Sequence, residues 1–188
     1  MTHIGEATHF RQHSFHPRQE SPAEQQYWFA VQTKAKHEKR VAAELREKGI
    51  AAFLPVFTEV HQWSDRKRKV ELPLFNTYVF VRIGGDQGSR VSVLQTHSVF
   101  RFVGVRGIGI PIPDEQIKAL QTIVRQNVPF MPYPFLSLGQ KVRVRGGSLD
   151  GICGVLLEIN ADRSLIVSVE SIQRSIAIRI DGYQVEAA

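Results

Sequence analysis

The spacing of apolar positions changes several times along this chain, and each change marks an element. Tyr27-Trp28-Phe29-Ala30-Val31 is a short unbroken apolar run, the pattern of a strand buried on both faces. From Thr33 to Lys48 the composition switches to Ala, Glu, Lys, Arg and Leu, all strong helix formers. Val41 and Leu45 stand four apart on one helical face, and Gly49 follows where a C-cap glycine belongs. The segment predicts a helix of roughly three to four turns. Ile50-Ala51-Ala52-Phe53-Leu54-Pro55-Val56-Phe57 reads as a second buried strand, with Pro55 implying an edge or a bulge. Val60-His61-Gln62-Trp63 and Val70-Glu71-Leu72-Pro73-Leu74 flank the charged tip Ser64-Asp65-Arg66-Lys67-Arg68-Lys69, a hairpin with a basic turn. Tyr78-Val79-Phe80-Val81-Arg82-Ile83 is the most strand-like run. Residues 84–88 read as a loop, and Val99-Phe100-Arg101-Phe102-Val103 as an alternating strand. Asp114 is the predicted N-cap of a second helix whose apolar face is Ile117, Leu120 and Val124.

Strand, helix, three strands, helix is an α+β order. Its simplest closure is a split βαβ sandwich, an antiparallel sheet with helices, over residues 26–126. Val128-Pro129-Phe130-Met131-Pro132-Tyr133-Pro134-Phe135 holds three prolines and predicts an extended linker over residues 127–136. Residues 137–188 are all-β by pattern. Lys141-Val142-Arg143-Val144-Arg145 and Ser175-Ile176-Ala177-Ile178-Arg179-Ile180 alternate with period two, and two further runs lie between them. A small closed, SH3-like barrel follows. The alternating Ile, Val and Ser of residues 164–180 favour strands with no helical alternative. Residues 1–25 carry four of the seven histidines, His3, His9, His13 and His16, without periodicity, and read as a disordered tail. Their spacing lacks a companion Cys or carboxylate, so no metal is expected there.

Charge sharpens this division. The chain has 188 residues and a net charge of +6, which suits a polyanionic neighbour. Residues 26–126 carry 16 basic and 9 acidic side chains, residues 127–188 six of each, and residues 1–25 a net −1. The whole excess therefore sits in the first module. Lys34, Lys36, Lys39 and Arg40 crowd the start of the first predicted helix, where cations oppose the helix dipole at about 0.3–1 kcal/mol each. Stability does not explain them, which favours an anion outside over a merely solvated helix face.

Cys153 is the single cysteine, which excludes an intramolecular disulfide and fits a reducing compartment. No apolar run reaches the ~18 residues of a membrane span. The first residues lack a basic start followed by an apolar stretch, so a bacterial-type cytoplasm is expected. No enzyme constellation is visible. Gly104-Val105-Arg106-Gly107-Ile108-Gly109 has the wrong glycine order for a dinucleotide loop, and no P-loop or zinc spacing occurs. No cofactor is expected.

Trp28-Phe29-Ala30-Val31, the basic helix, Phe53-Leu54-Pro55 and Pro73-Leu74-Phe75-Asn76-Thr77-Tyr78-Val79-Phe80-Val81 resemble, in this order, the N-terminal domain of NusG-family transcription elongation and antitermination factors. Gly139, Val142, Val144, Gly147, Asp150, Gly151, Gly154, Val155 and Gln184-Val185-Glu186 resemble the family's KOW barrel. The likeness covers roughly residues 26–187. His61-Gln62-Trp63-Ser64-Asp65-Arg66-Lys67 is closer to specialised paralogues of the UpxY and RfaH type than to housekeeping NusG.

The resemblance implies a monomeric, non-enzymatic factor that binds the clamp helices of the largest RNA polymerase subunit and suppresses pausing or termination. Its KOW domain would recruit ribosomal protein uS-ten or Rho. By motif position Phe75, Tyr78, Phe80, Val105, Ile117 and Leu120 are the implied polymerase contacts, with plain core packing as the competing role. Lys34 and Arg40, with their neighbours Lys36 and Lys39, and His97 and Arg101 are the implied contacts to upstream or non-template DNA, mainly through phosphate. A solvated helix face is the competing role. Three departures stand out. Thr77 replaces the usual Gly or Asn, Ser89-Arg90-Val91-Ser92 stands at a hydroxyl-rich loop, and Glu44 occupies a position often His or Arg. The alternative is a stand-alone RNA-binding or ribosome-associated module, which needs aromatics exposed on the sheet face.

Overall fold

The computed structural model describes residues 25–62, 67–133, 135, 139–159 and 162–188. The His-rich tail and the tip of the basic hairpin lie outside these residues. The first module runs β1 (Gln26–Thr33), α1 (Glu38–Glu47), β2 (Ala51–Phe53), β3 (Val56–Gln62), β4 (Lys67–Pro73), β5 (Tyr78–Gly84), α2 (Gln87–Leu94), β6 (Val99–Phe102), β7 (Gly104–Val105), β8 (Ile108–Gly109) and α3 (Asp114–Arg125).

β1 and β5 are the central strands of a four-stranded antiparallel sheet of order β2-β5-β1-β6. Period-two alternation sorts its side chains. Phe29, Val31, Val79 and Val81 face one way and pack with Val41, Ala42 and Leu45 of α1 and Val93 of α2. Trp28, Ala30 and Phe80 face the other way and pack with Ile112 and with Ile117, Leu120 and Ile123 of α3. The expected α+β class is the observed one.

Several boundaries differ from the sequence reading, each for a local reason. α1 begins at Glu38, because Lys36 takes a left-handed φ of 64° that no helix accommodates. Lys34 and Lys36 therefore lie in the preceding turn. The helix ends as expected at Gly49, φ 76°, with the Ile50 and Gly49 amides donating to the Leu45 and Arg46 carbonyls, a Schellman closure. Pro55 divides the expected strand 50–57 into two. β2 is an edge strand of the main sheet, while β3 leaves to pair with β4. Residues 87–94 form α2 where a loop was expected, capped by Asp86, whose Oδ1 accepts from the Ser89 amide at 2.7 Å. Asp114 is the first residue of α3 and Pro113 its N-cap. α3 buries Ala119 and Ile123 as well as Ile117 and Leu120, with Val124 half-buried.

The second module contains β9 (Phe130–Tyr133), β10 (Lys141–Arg145), β11 (Cys153–Ile159), β12 (Asp162–Val169), β13 (Arg174–Arg179) and β14 (Gln184–Ala187). They form one antiparallel sheet of order β14-β10-β11-β12-β13-β9 around Val142, Val144, Leu165, Val167, Ile176 and Ile178. The expected closure is not made by strand pairing, since β14 and β9 remain the two edges. The run 164–180 is strand apart from a short turn at Glu170–Ile172. Part of the proline-rich segment belongs to this sheet, because β9 pairs with β13 from Ser175↔Tyr133 to Ile178↔Phe130. An edge strand tolerates Pro132, which has no amide to donate. Gly154 is required by crowding, since a Cβ there would lie 2.5 Å from the Ile166 carbonyl oxygen.

The two modules share one apolar cluster, which runs from Trp28 and Phe80 through α3 to Val142 and Ile178. α3 packs against β11 and β12. Gln116 Oε1 accepts from the Glu170 amide at 3.3 Å, and Phe57 meets Phe130 edge-on with ring centroids 4.9 Å apart.

Removing β9 uncovers the β13 edge. A fragment of residues 127–188 should give a cooperative melt and a β-type circular dichroism spectrum. A fragment of residues 137–188 should melt several degrees lower, since ~1 kcal/mol moves the midpoint of a 60-residue domain by about 4–8 °C. A helical majority in the longer fragment would contradict the assignment.

Candidate functional site

The cationic residues gather where β1 ends. All six implied nucleic-acid contacts, Lys34, Lys36, Lys39, Arg40, His97 and Arg101, are exposed. Three connections meet there: β1 to α1, the turn before β5, and α2 to β6. The Lys34 amide donates to the Ser98 carbonyl at 2.9 Å, His37 Nδ1 lies 2.9 Å from Ser98 Oγ, and the His37 and His97 rings are 6.5 Å apart. Arg101 is held at 2.9 Å by Gln32 Oε1. Lys39 turns toward the β3–β4 hairpin and pairs with Glu71 at 2.9 Å in the open, a contact worth little on its own. His37 was not singled out from sequence, although its place between Lys36 and Glu38 is the signal that finds it.

Glu44 has a clear structural task. Its Oε1 accepts from the His97 amide at 3.2 Å and pairs with Lys48 at 3.0 Å, so it anchors the loop that presents His97. The Lys48 hydrogen bond, then the His97 amide, hold its carboxyl below the ordinary range.

The implied polymerase set divides differently. Phe75, Tyr78, Phe80, Ile117 and Leu120 do converge. Phe75 and Phe80 meet edge-on at 6.4 Å, and Phe80 stacks against Phe53 at 6.2 Å. Yet Phe80 and Leu120 are 0% exposed, Phe75 and Ile117 are buried, and Tyr78 is half-buried. The four buried residues pack in the core shared with α3, the competing role named from sequence. Val105 stands apart at 67% exposed, on the tip where β7 and β8 turn through Arg106 and Gly107. Ile108, its partner across that tip, is also 67% exposed and was missed, because Gly-rich residues 104–109 carry no strand period. Phe100 is exposed on β6.

The segment Ser89-Arg90-Val91-Ser92 lies within α2 and is not a loop. Arg90 stacks over Phe29 and Phe102 at 5.2 and 4.9 Å, which fastens α2 to the sheet. Among the described residues no group of three or more His, Cys, Asp or Glu forms a metal-binding array, and no helix is long and apolar enough to cross a membrane.

Fold and site together define a two-module binding protein, cationic at one end of its α+β module, with its β-sheet module docked on α3. The family model described as transcription termination factor nusG matches residues 26–121. The chain is 30% identical over 181 residues to the transcription termination/antitermination protein NusG of Escherichia coli (strain K12), covering 89% of this chain and 99% of that protein. It is 26% identical over 179 residues to the protein of the same name from Borreliella burgdorferi, covering 85% and 97%. A solved structure titled "Domain interaction in Thermotoga maritima NusG" matches with a TM-score of 0.51 at 18% identity, covering 83% of this chain and 94% of that one, which shows a shared fold. The chain belongs to the NusG family, whose members are transcription factors and not enzymes.

Because the folded Glu44 carboxyl is depressed, its contribution is present above the ordinary carboxylate value and is lost as pH falls through the depressed one. The His97 amide should therefore shift in an NMR titration with a midpoint below that of an exposed glutamate, and Glu44→Gln should abolish that titration. A midpoint at the ordinary value would remove the anchoring role.

Proposed function

We propose that this protein is a specialised elongation and antitermination factor that binds RNA polymerase through its first module and suppresses pausing or termination. Family membership supports the transcriptional role, and the run at residues 61–67 supports the UpxY/RfaH subtype. The observation that carries the reading is the division of the first module into a cationic end and an apolar tip, both exposed. Lys34, Lys36, Lys39, Arg40, His97 and Arg101 contact upstream or non-template DNA through phosphate. Each such contact adds salt dependence and no sequence reading. Tyr78, Val105 and Ile108 are the accessible part of the polymerase-facing surface. Phe75, Phe80, Ile117 and Leu120 support it from beneath. Contact through α3 itself requires the second module to move aside. That module contains the KOW domain of residues 137–188, and it recruits a further partner, ribosomal protein uS-ten or Rho. The work is done in the cytoplasm.

The alternative RNA-binding module is less favoured by the same geometry. Stacking of bases needs open rings, whereas Trp28 and Phe80 are buried, which leaves Tyr27 and Phe100 as the exposed rings of the sheet among the described residues.

Capture of core RNA polymerase by the full chain should fall at least tenfold with Val105→Glu while the melting temperature holds, since Val105 is exposed. Phe80→Ala should instead cost about 3–5 kcal/mol of stability, as a buried ring does. Unchanged capture by Val105→Glu would refute the docking surface. On single-stranded DNA, Lys34→Ala and Arg101→Ala should each lower the slope of log affinity against log salt by about 0.7. An unchanged slope would leave those two side chains as solvated surface.

A further inference from the structure

Glu38 is a buried acid that neither proposed contact explains. It is the first residue of α1 and only 3% exposed. An acid in a helix's first turn ordinarily faces solvent and serves the helix dipole. Glu38 instead reaches 39 positions along the chain, where its Oε1 accepts the backbone amide of Thr77 at 2.7 Å.

Thr77 needs the support. Its φ is 68°, in the left-handed region that a β-branched residue rarely enters. It is the third residue of a turn closed by the Tyr78 amide on the Phe75 carbonyl at 3.4 Å, a place that favours Gly or Asn. The departure from Gly or Asn noted in the sequence therefore falls at the one position of the turn where it is costly. Left-handed non-glycine residues persist only where the surroundings over-determine them. Here the connection from β1 to α1 holds both backbone groups of Thr77: Glu38 takes its N–H, and the Thr33 amide donates to its carbonyl at 2.8 Å. The same connection contains Lys36 at φ 64° and is tied to Ser98 at φ 70°, so three such residues converge on the start of α1.

We propose that Glu38 is a positioning residue for polymerase docking. Its buried carboxylate holds Thr77 left-handed and so sets the direction in which Phe75 and Tyr78 leave the turn. The cationic start of α1 and the aromatic turn are thereby one rigid unit. This rests on the reading that Tyr78 faces the polymerase.

Two substitutions separate reach from charge. Glu38→Gln keeps the acceptor at the same length and removes the charge, whereas Glu38→Asp keeps the charge and falls one methylene short. In the full chain, Glu38→Gln should bind core RNA polymerase within about twofold of the unaltered protein, and Glu38→Asp about tenfold more weakly, the size of one lost hydrogen bond. Amide exchange at Thr77 should accelerate by a similar factor in Glu38→Asp alone. Adding Thr77→Gly to Glu38→Asp should restore most of the affinity, because glycine takes a positive φ unaided. Equal affinity and equal exchange in all variants would overturn the proposal, and so would the reverse order of the two substitutions. If the unaltered protein does not bind polymerase, the docking reading fails, and exchange at Thr77 alone then decides whether Glu38 sets the turn.

Discussion

Helix α3 buries one apolar stripe, Ile117, Ala119, Leu120 and Ile123, and both modules pack against it. Ile117 and Leu120 belong with the rings of the sheet, while Ala119 lines a cleft of about 440 Å³ with Arg143, Asp150 and Ile152 of the second module. The α3 side of that cleft is otherwise polar, with Lys118, Gln121, Thr122 and Arg125. Apolar surface is driven out of water at about 25 cal/mol per Å². The two modules consequently meet on one element and share one cluster. The linker that joins them is drawn in too, giving four residues to the sheet as β9.

The cationic end follows the opposite rule. Its charges stay in water, where no desolvation cost is incurred and long-range attraction to phosphate is retained. Precision comes from the backbone beneath them. Lys34, His37 and Glu38 are tied to Ser98 and Thr77 by hydrogen bonds of 2.7 to 2.9 Å, and Glu44 fastens the His97 amide. A rigid scaffold under exposed cations suits a contact that must follow a polyanion without reading its bases.

Much of this was legible before the structure. The shared face of Tyr78 and Phe80 follows from a period of two, and the Gly49 stop follows from the glycine itself. The strand character of residues 164–180 was equally plain. What failed was legible only in part. Residues 87–94 hide a helix behind one glycine and two serines, and only Asp86, three residues before Ser89, marks its start. Residues 130–133 lie in a proline-rich run that signals a linker, yet an edge strand accepts Pro132 just as readily.

By itself the sequence determined the types of most elements, though not α2 or β9, the confinement of positive charge to the first module and the membership of the family, because each of these is written in neighbouring residues or in their order. Only the tertiary structure decided which apolar side chains are open to a partner. Phe80 and Val105 read alike as apolar docking residues, but α3 lies over one while the other rides on a two-stranded tip with nothing packed on it. Burial is set by what the chain brings back from far away, and no local pattern contains that information. Thr77 makes the same point for the backbone: its left-handed turn is held by a carboxylate 39 positions distant.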